Sequence, residues 1–346
     1  MLCRKIVLSL GVLLLCSIQQ LTALELTRDN LKLVLHEGIG RFSLYARGQE
    51  EGSDYTPLFV AQDPRTSVMS VIVGDRLYKL GESGEFEETL QTTAGGARFS
   101  WVSDELRISE DFTFVSGGVS IRIALKNESG RELTVGLRFC LDTFLGEKGP
   151  NHFSTSGHAE VSKELEILKS EMVRYWKSSS REKEGGVNLY SHTSGEGVTV
   201  PDRIIFANWK RISDTSWNFK TSPSRNFNLM PYSINDSAVC QYYSPRLIQP
   251  DKVWNIDLLF SSVESASALS VAAGSVPEPQ TTATIRSDLA SRPAPGPYKD
   301  LLAINSLIEE INRLMLQESV DAEEIERLRG ILAALRSKTS AYIGSD

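Results

Sequence analysis

The feature that most limits what this chain can fold into is a period of two that runs, with breaks, from Leu26 to about Val263. In Ser120-Ile121-Arg122-Ile123-Ala124-Leu125 the isoleucines fall on one side and the arginine on the other. That is the alternation of a half-buried strand. Residues 31–36, 39–46, 68–73, 76–80, 97–102, 106–115, 119–125 and 133–144 repeat it, and 187–191, 203–209, 237–243 and 253–262 resume it. Turn formers separate the runs: Gly74-Asp75, Ser116-Gly117-Gly118 and Asn127-Glu128-Ser129-Gly130. Glycine takes the positive φ of tight turns, and Asn and Ser bond locally to the backbone. Short punctuated strands predict a mainly β fold, a large antiparallel β-sandwich. Roughly 240 residues is long for one sandwich but compatible with one domain. Two smaller β-domains divided near 150–185 are the alternative. Within that stretch, residues 163–177 read as a short helix or a strand with a charged edge, and 178–186 as a polar loop.

The two ends differ from the middle. Arg4 and Lys5 precede the apolar run of residues 6–16, and Leu21-Thr22-Ala23 leads into charged sequence. A basic start, a short apolar stretch and a small residue before the cut predict a signal peptide over 1–23. The protein is then exported, periplasmic or otherwise in the cell envelope. Cys16 raises the alternative of a lipid anchor, although Leu15 before it fits that pattern poorly. No other run reaches the ~20 apolar residues of a membrane span, so the mature chain is expected to have no transmembrane segment.

The β-domain is expected over 24–271, followed by a linker over 272–297 holding Pro277, Pro279, Pro293, Pro295 and Pro297. From 298 to 340 the period becomes helical. Ile304, Leu307, Ile311 and Leu314 mark one stripe and Leu328 and Leu332 a second. Asp321 with Glu324 makes a capping box between them. These residues predict a two-helix hairpin too small to hold its own core. Its stripe therefore docks on the sandwich, on a second copy or on a protein partner.

Chemistry is sparsely signalled. The net charge of −7 and the dispersed basic residues argue against nucleic acid. There are four histidines, and no HExxH, CxxC pair, phosphate loop or Gly-x-Ser-x-Gly elbow. No cofactor or metal site is expected. The densest polar cluster, residues 141–155, brings together Asp142, Glu147 and His152, a carboxylate and imidazole set suited to acid–base work. The simpler reading is a strand end with its turn. Trp209, Trp217 and Tyr243 lie among other aromatics and Lys210, Arg211 and Lys220, and suit a sugar surface or simply a core. Cys140 and Cys240 are candidates for one disulfide stapling non-adjacent strands, or for two buried thiols.

Residues 132–155 (ELTVGLRFCLDTFLGEKGPNHFST) and 63–83 (DPRTSVMSVIVGDRLYKLGES) resemble strand-and-loop elements of exported β-sandwich proteins of spirochaetes. The layout is also similar to the supersandwich of the galactose mutarotase-like group. That resemblance implies a sugar cleft with a histidine and a glutamate, which cannot be placed on specific positions of this sequence. Two functions follow as expectations. The first is a non-enzymatic envelope scaffold that binds a protein partner or itself through the hairpin. The second is a carbohydrate-binding or carbohydrate-modifying sandwich with a glycan ligand.

Overall fold

The alternating segments pair into antiparallel ladders. The computed structural model describes residues 23–48, 52–60, 63–147, 149, 151–180, 186–215, 217–229, 236–264 and 280–281. In chain order the strands are β1 (Ala23–Arg28), β2 (Leu31–His36), β3 (Arg41–Arg47), β4 (Tyr55–Pro57), β5 (Val68–Val73), β6 (Arg76–Lys79), β7 (Glu87–Thr93), β8 (Gly96–Val102), β9 (Leu106–Val115), β10 (Gly118–Asn127), β11 (Leu133–Asp142), β12 (Ser154–Thr155), β13 (Leu165–Leu168), β14 (Tyr175–Ser179), β15 (Asn188–His192), β16 (Arg203–Asn208), β17 (Ser237–Ile248), β18 (Val253–Ser261) and β19 (Gln280–Thr281). One short α-helix, α1 (Trp209–Ser213), is present among the described residues.

Three sheets result. A six-stranded sheet has the order β13-β16-β17-β11-β5-β6, and an eight-stranded sheet β12-β14-β15-β18-β10-β9-β8-β7. A five-stranded sheet runs β19-β1-β2-β3-β4. The turns do what their residues dictate. Val73 pairs with Arg76 across Gly74-Asp75, and Val115 with Gly118 across Ser116-Gly117. Gly74 (φ 64°) and Gly117 (φ 71°) occupy the left-handed region that a two-residue hairpin needs.

The core lies between the two larger sheets and is closed by the third. Phe139 of β11 stacks on Phe260 of β18, with ring centroids 6.1 Å apart. Phe42 of β3 reaches both layers, 5.1 Å from Phe112 of β9 and 6.1 Å from Phe139. Trp101, Trp176, Phe99 and Phe206 are also fully enclosed. Each large apolar side chain buried in this way contributes about 1.5–3 kcal/mol.

Three readings of the sequence change. Residues 163–177 form no α-helix. They make β13, a 3-10 turn at Lys169–Glu171 and the start of β14, because Ile167 and Trp176 bury into the sandwich while their neighbours face out. The alternative of two β-domains is not seen: β12, β14 and β15 join the eight-stranded sheet through β18, and β13, β16 and β17 join the six-stranded sheet at β11. The sandwich also carries an additional five-stranded sheet, whose β19 falls inside the expected linker. Gln280 and Thr281 pair with Glu25 and Leu24 of β1. The chain divides into units 1–282 and 283–346. Residues 1–22 of the expected 1–23 signal, with Cys16 among them, and the hairpin residues Ile304, Leu307, Ile311, Leu314, Leu328 and Leu332 lie outside the described residues. Among the described residues no helix is long and apolar enough to cross a membrane.

Candidate functional site

The polar site grows from one register. β11 is buried almost throughout, yet Arg138, Cys140 and Asp142 alternate along its outer face. Their cross-strand partners on β17 are Tyr242, Cys240 and Ala238. The middle rung is covalent: Cys140 and Cys240 form a disulfide with Cα atoms 4.1 Å apart. The two strands are far apart in the chain but neighbours in the sheet.

A short cover lies over this face. Asn208, at the end of β16, accepts from Arg211 N (3.2 Å) and so caps α1. Its amide nitrogen also donates to Phe227 O (2.8 Å) and Asp236 O (3.0 Å), tying the cover to the strand before β17. Ile212 and Phe219 then pack on Ile205, Ala207 and the disulfide, with Trp209 and Trp217 beside them. The Trp217 ring meets Tyr242 edge-on at 5.6 Å. Arg138 is 1% exposed and donates to Thr215 O (3.1 Å).

Between this cover and β5–β6 a cavity of about 180 Å³ remains. Its floor is Val68, Cys140 and Ala238, and Trp209, Ile212 and Ser213 form one wall. Charge surrounds the rest: Asp63, Arg65, Lys79, Glu82 and Arg138, with Thr66. Several of these are held in place. Asp63 accepts from Arg65 N (3.0 Å), Glu82 pairs with the buried Arg41 (2.8 Å), and Trp209 Nε1 donates to Thr66 O (2.9 Å).

Three carboxylates cluster next to the cavity, where β11 ends and β17 begins. One oxygen each from Asp142, Glu147 and Asp236 lies within 4.8 Å of the others. Ser237 N donates to Glu147 Oε1 (3.1 Å), and Ser237 Oγ meets His152 Nδ1 at 2.6 Å. Burial, and then the charge of Asp236, hold the Asp142 carboxyl well above its usual range. The same two causes push Glu147 up to about 8. Burial raises Asp236 to about 6. The cluster and the cavity share a wall, because Ala238, which lines the cavity, faces Asp142 across the ladder.

Of the residues singled out in sequence, Asp142 and Glu147 come together. His152 joins them through Ser237 but is 3% exposed and packs its ring 5.0 Å from Phe227. Trp209 lines the cavity, and Trp217 sits beside it in the cover. Tyr243 is not part of this site. It points to the opposite face of β17, into the main core, with its hydroxyl 3.2 Å from Gln241 Oε1. Sequence reasoning missed Asp236, Arg65, Lys79, Glu82 and Arg138. A signal existed for Arg138, an arginine inside a strand apolar on both sides. Nothing marked Asp236, which only the β11–β17 register brings to Asp142.

No protein-family model and no curated protein matches the chain. Among solved structures it is similar to a galactose mutarotase related enzyme from Lactobacillus acidophilus, at 9% identity and TM-score 0.40 over 71% of this chain and 99% of that one. A galactose mutarotase-like protein from Lactobacillus casei ATCC 334 gives 8% identity and TM-score 0.43, over 69% and 99%. An aldose epimerase homologue from C. elegans gives 10% and 0.42, over 70% and 99%. Likenesses this distant assign no activity.

Proposed function

We propose that the protein is a carbohydrate-binding β-sandwich that works outside the cytoplasm and takes one small sugar in the cavity above the Cys140–Cys240 bridge. One observation carries this reading. An indole, Trp209, stands beside Arg65, Lys79, Arg138, Asp63 and Glu82 around a space of about 180 Å³. An aromatic face covers the apolar side of a sugar ring, and forked charged side chains bond its vicinal hydroxyls. The volume lies below the roughly 300–1,000 Å³ of pockets for drug-sized ligands, which limits the occupant to about one ring. The disulfide supports an exported location, since such bridges persist in oxidising compartments. The acidic and basic lining together favours a sugar carrying a carboxylate or amine over a neutral hexose.

Saturation-transfer NMR with a panel of neutral, acidic and amino monosaccharides tests the reading. At least one charged sugar should receive saturation from the wild type and lose it in Trp209→Ala. If no sugar in the panel shows transfer at millimolar concentration, the carbohydrate reading fails.

A further inference from the structure

The carboxylates beside the cavity pose a separate problem of charge. Asp142 is 2% exposed, and its Oδ1 is buried with no hydrogen-bond partner. Asp236 Oδ1 is in the same position. Neither residue takes part in a salt bridge among the described residues. A buried acceptor left without a donor is costly, and clustered carboxylates repel one another. Protons can relieve that cost, and so can a cation.

We propose that Asp142, Glu147 and Asp236 bind a hard divalent cation of the calcium class. The donor set is all oxygen, which suits Ca²⁺, Mg²⁺ or Mn²⁺ rather than zinc or copper. The number of carboxylates favours calcium. Three protein carboxylates within 4.8 Å of one another suit its flexible shell of about six to eight oxygens, whereas Mg²⁺ usually keeps several waters and takes one or two carboxylates. Asp142 supplies the buried side of the site. Glu147 and Asp236 are only partly buried, so water can complete the shell.

The groups around the cluster fit this assignment. Ser237 N fixes Glu147, and His152 lies behind Ser237, held to its hydroxyl.

The test needs no sugar, so its outcome is independent of the carbohydrate reading. The full chain is stripped with EDTA, dialysed and titrated with CaCl₂ by calorimetry at pH 8.0, with melting followed in parallel. A single saturable site is expected, and MgCl₂ should bind more weakly. Glu147→Gln and Asp236→Asn should each weaken calcium at least tenfold. Without calcium both variants should melt no lower than the wild type, because each removes a repelling charge. Glu147 lies in a partly exposed turn, so Glu147→Gln remains informative if Asp236→Asn does not fold. No heat and no melting shift in the wild type at pH 8.0 with millimolar CaCl₂ overturns the proposal. So does an undiminished calcium response in a folded Glu147→Gln variant.

Discussion

Replacing Glu110 by Gln should remove a large part of the pH dependence of stability. Glu110 is on the core face of β9, between Ile108 and Phe112, and is 2% exposed. Its Oε1 has no hydrogen-bond partner. Burial pushes its carboxyl from 4.5 up to about 8, against the opposing pull of the Arg41 guanidinium. The folded protein therefore holds a proton on Glu110 where the unfolded chain has released it. Between those two values the folded state binds more protons, so stability falls as pH rises. The slope is about 1.4 kcal/mol per pH unit for one group, and the loss across the interval is on the order of 5 kcal/mol. Glutamine has nearly the same shape and never ionises. Wild type and Glu110→Gln should therefore be similar at pH 5, and the variant should be more stable by several kcal/mol at pH 8.5. Urea unfolding at pH 5, 6, 7, 8 and 8.5 measures this. A stability difference that stays constant across the series refutes the reasoning.

Two other perturbations test other parts of the account. The Cys140–Cys240 bridge closes a loop with a sequence separation of 100, so Cys140→Ser with Cys240→Ser should cost about 2–5 kcal/mol in urea unfolding. An equal cost from adding reductant to the wild type would confirm the origin, and no cost from either would refute it. If the helical stripe binds a partner or a second copy, Leu307→Glu with Leu328→Glu should abolish that association in native mass spectrometry or pull-down, and an unchanged complex would rule the hairpin out.

Much of the β architecture was legible because burial on one face imposes a period of two. Residues 106–115 are β9 to the residue, and the Gly74-Asp75 turn lies where its glycine places it. β7 escaped because Glu87–Thr93 is an edge strand with mostly exposed, polar side chains, so no core marks its period. Residues 163–177 were ambiguous since charged residues flank each buried one, and only pairing with β16 and β15 decides for strand. The site was legible only locally. Asp142 and Glu147 are close in the chain, and their proximity showed. Asp236 is brought in by the long-range register of β11 with β17, which one sequence does not display. Trp209 and Tyr243 looked alike as aromatics near basic residues. The outward direction of one and the inward direction of the other come from strand phase and the placement of α1.

A crystal structure of the protein soaked with the sugar that gives the strongest saturation transfer tests the central claim most directly. The account predicts density above the disulfide, with the ring against Trp209 and polar contacts to Arg138 and Lys79. Density elsewhere, for example over Tyr175 and Tyr190 on the eight-stranded sheet, with the cavity holding only water, would contradict it.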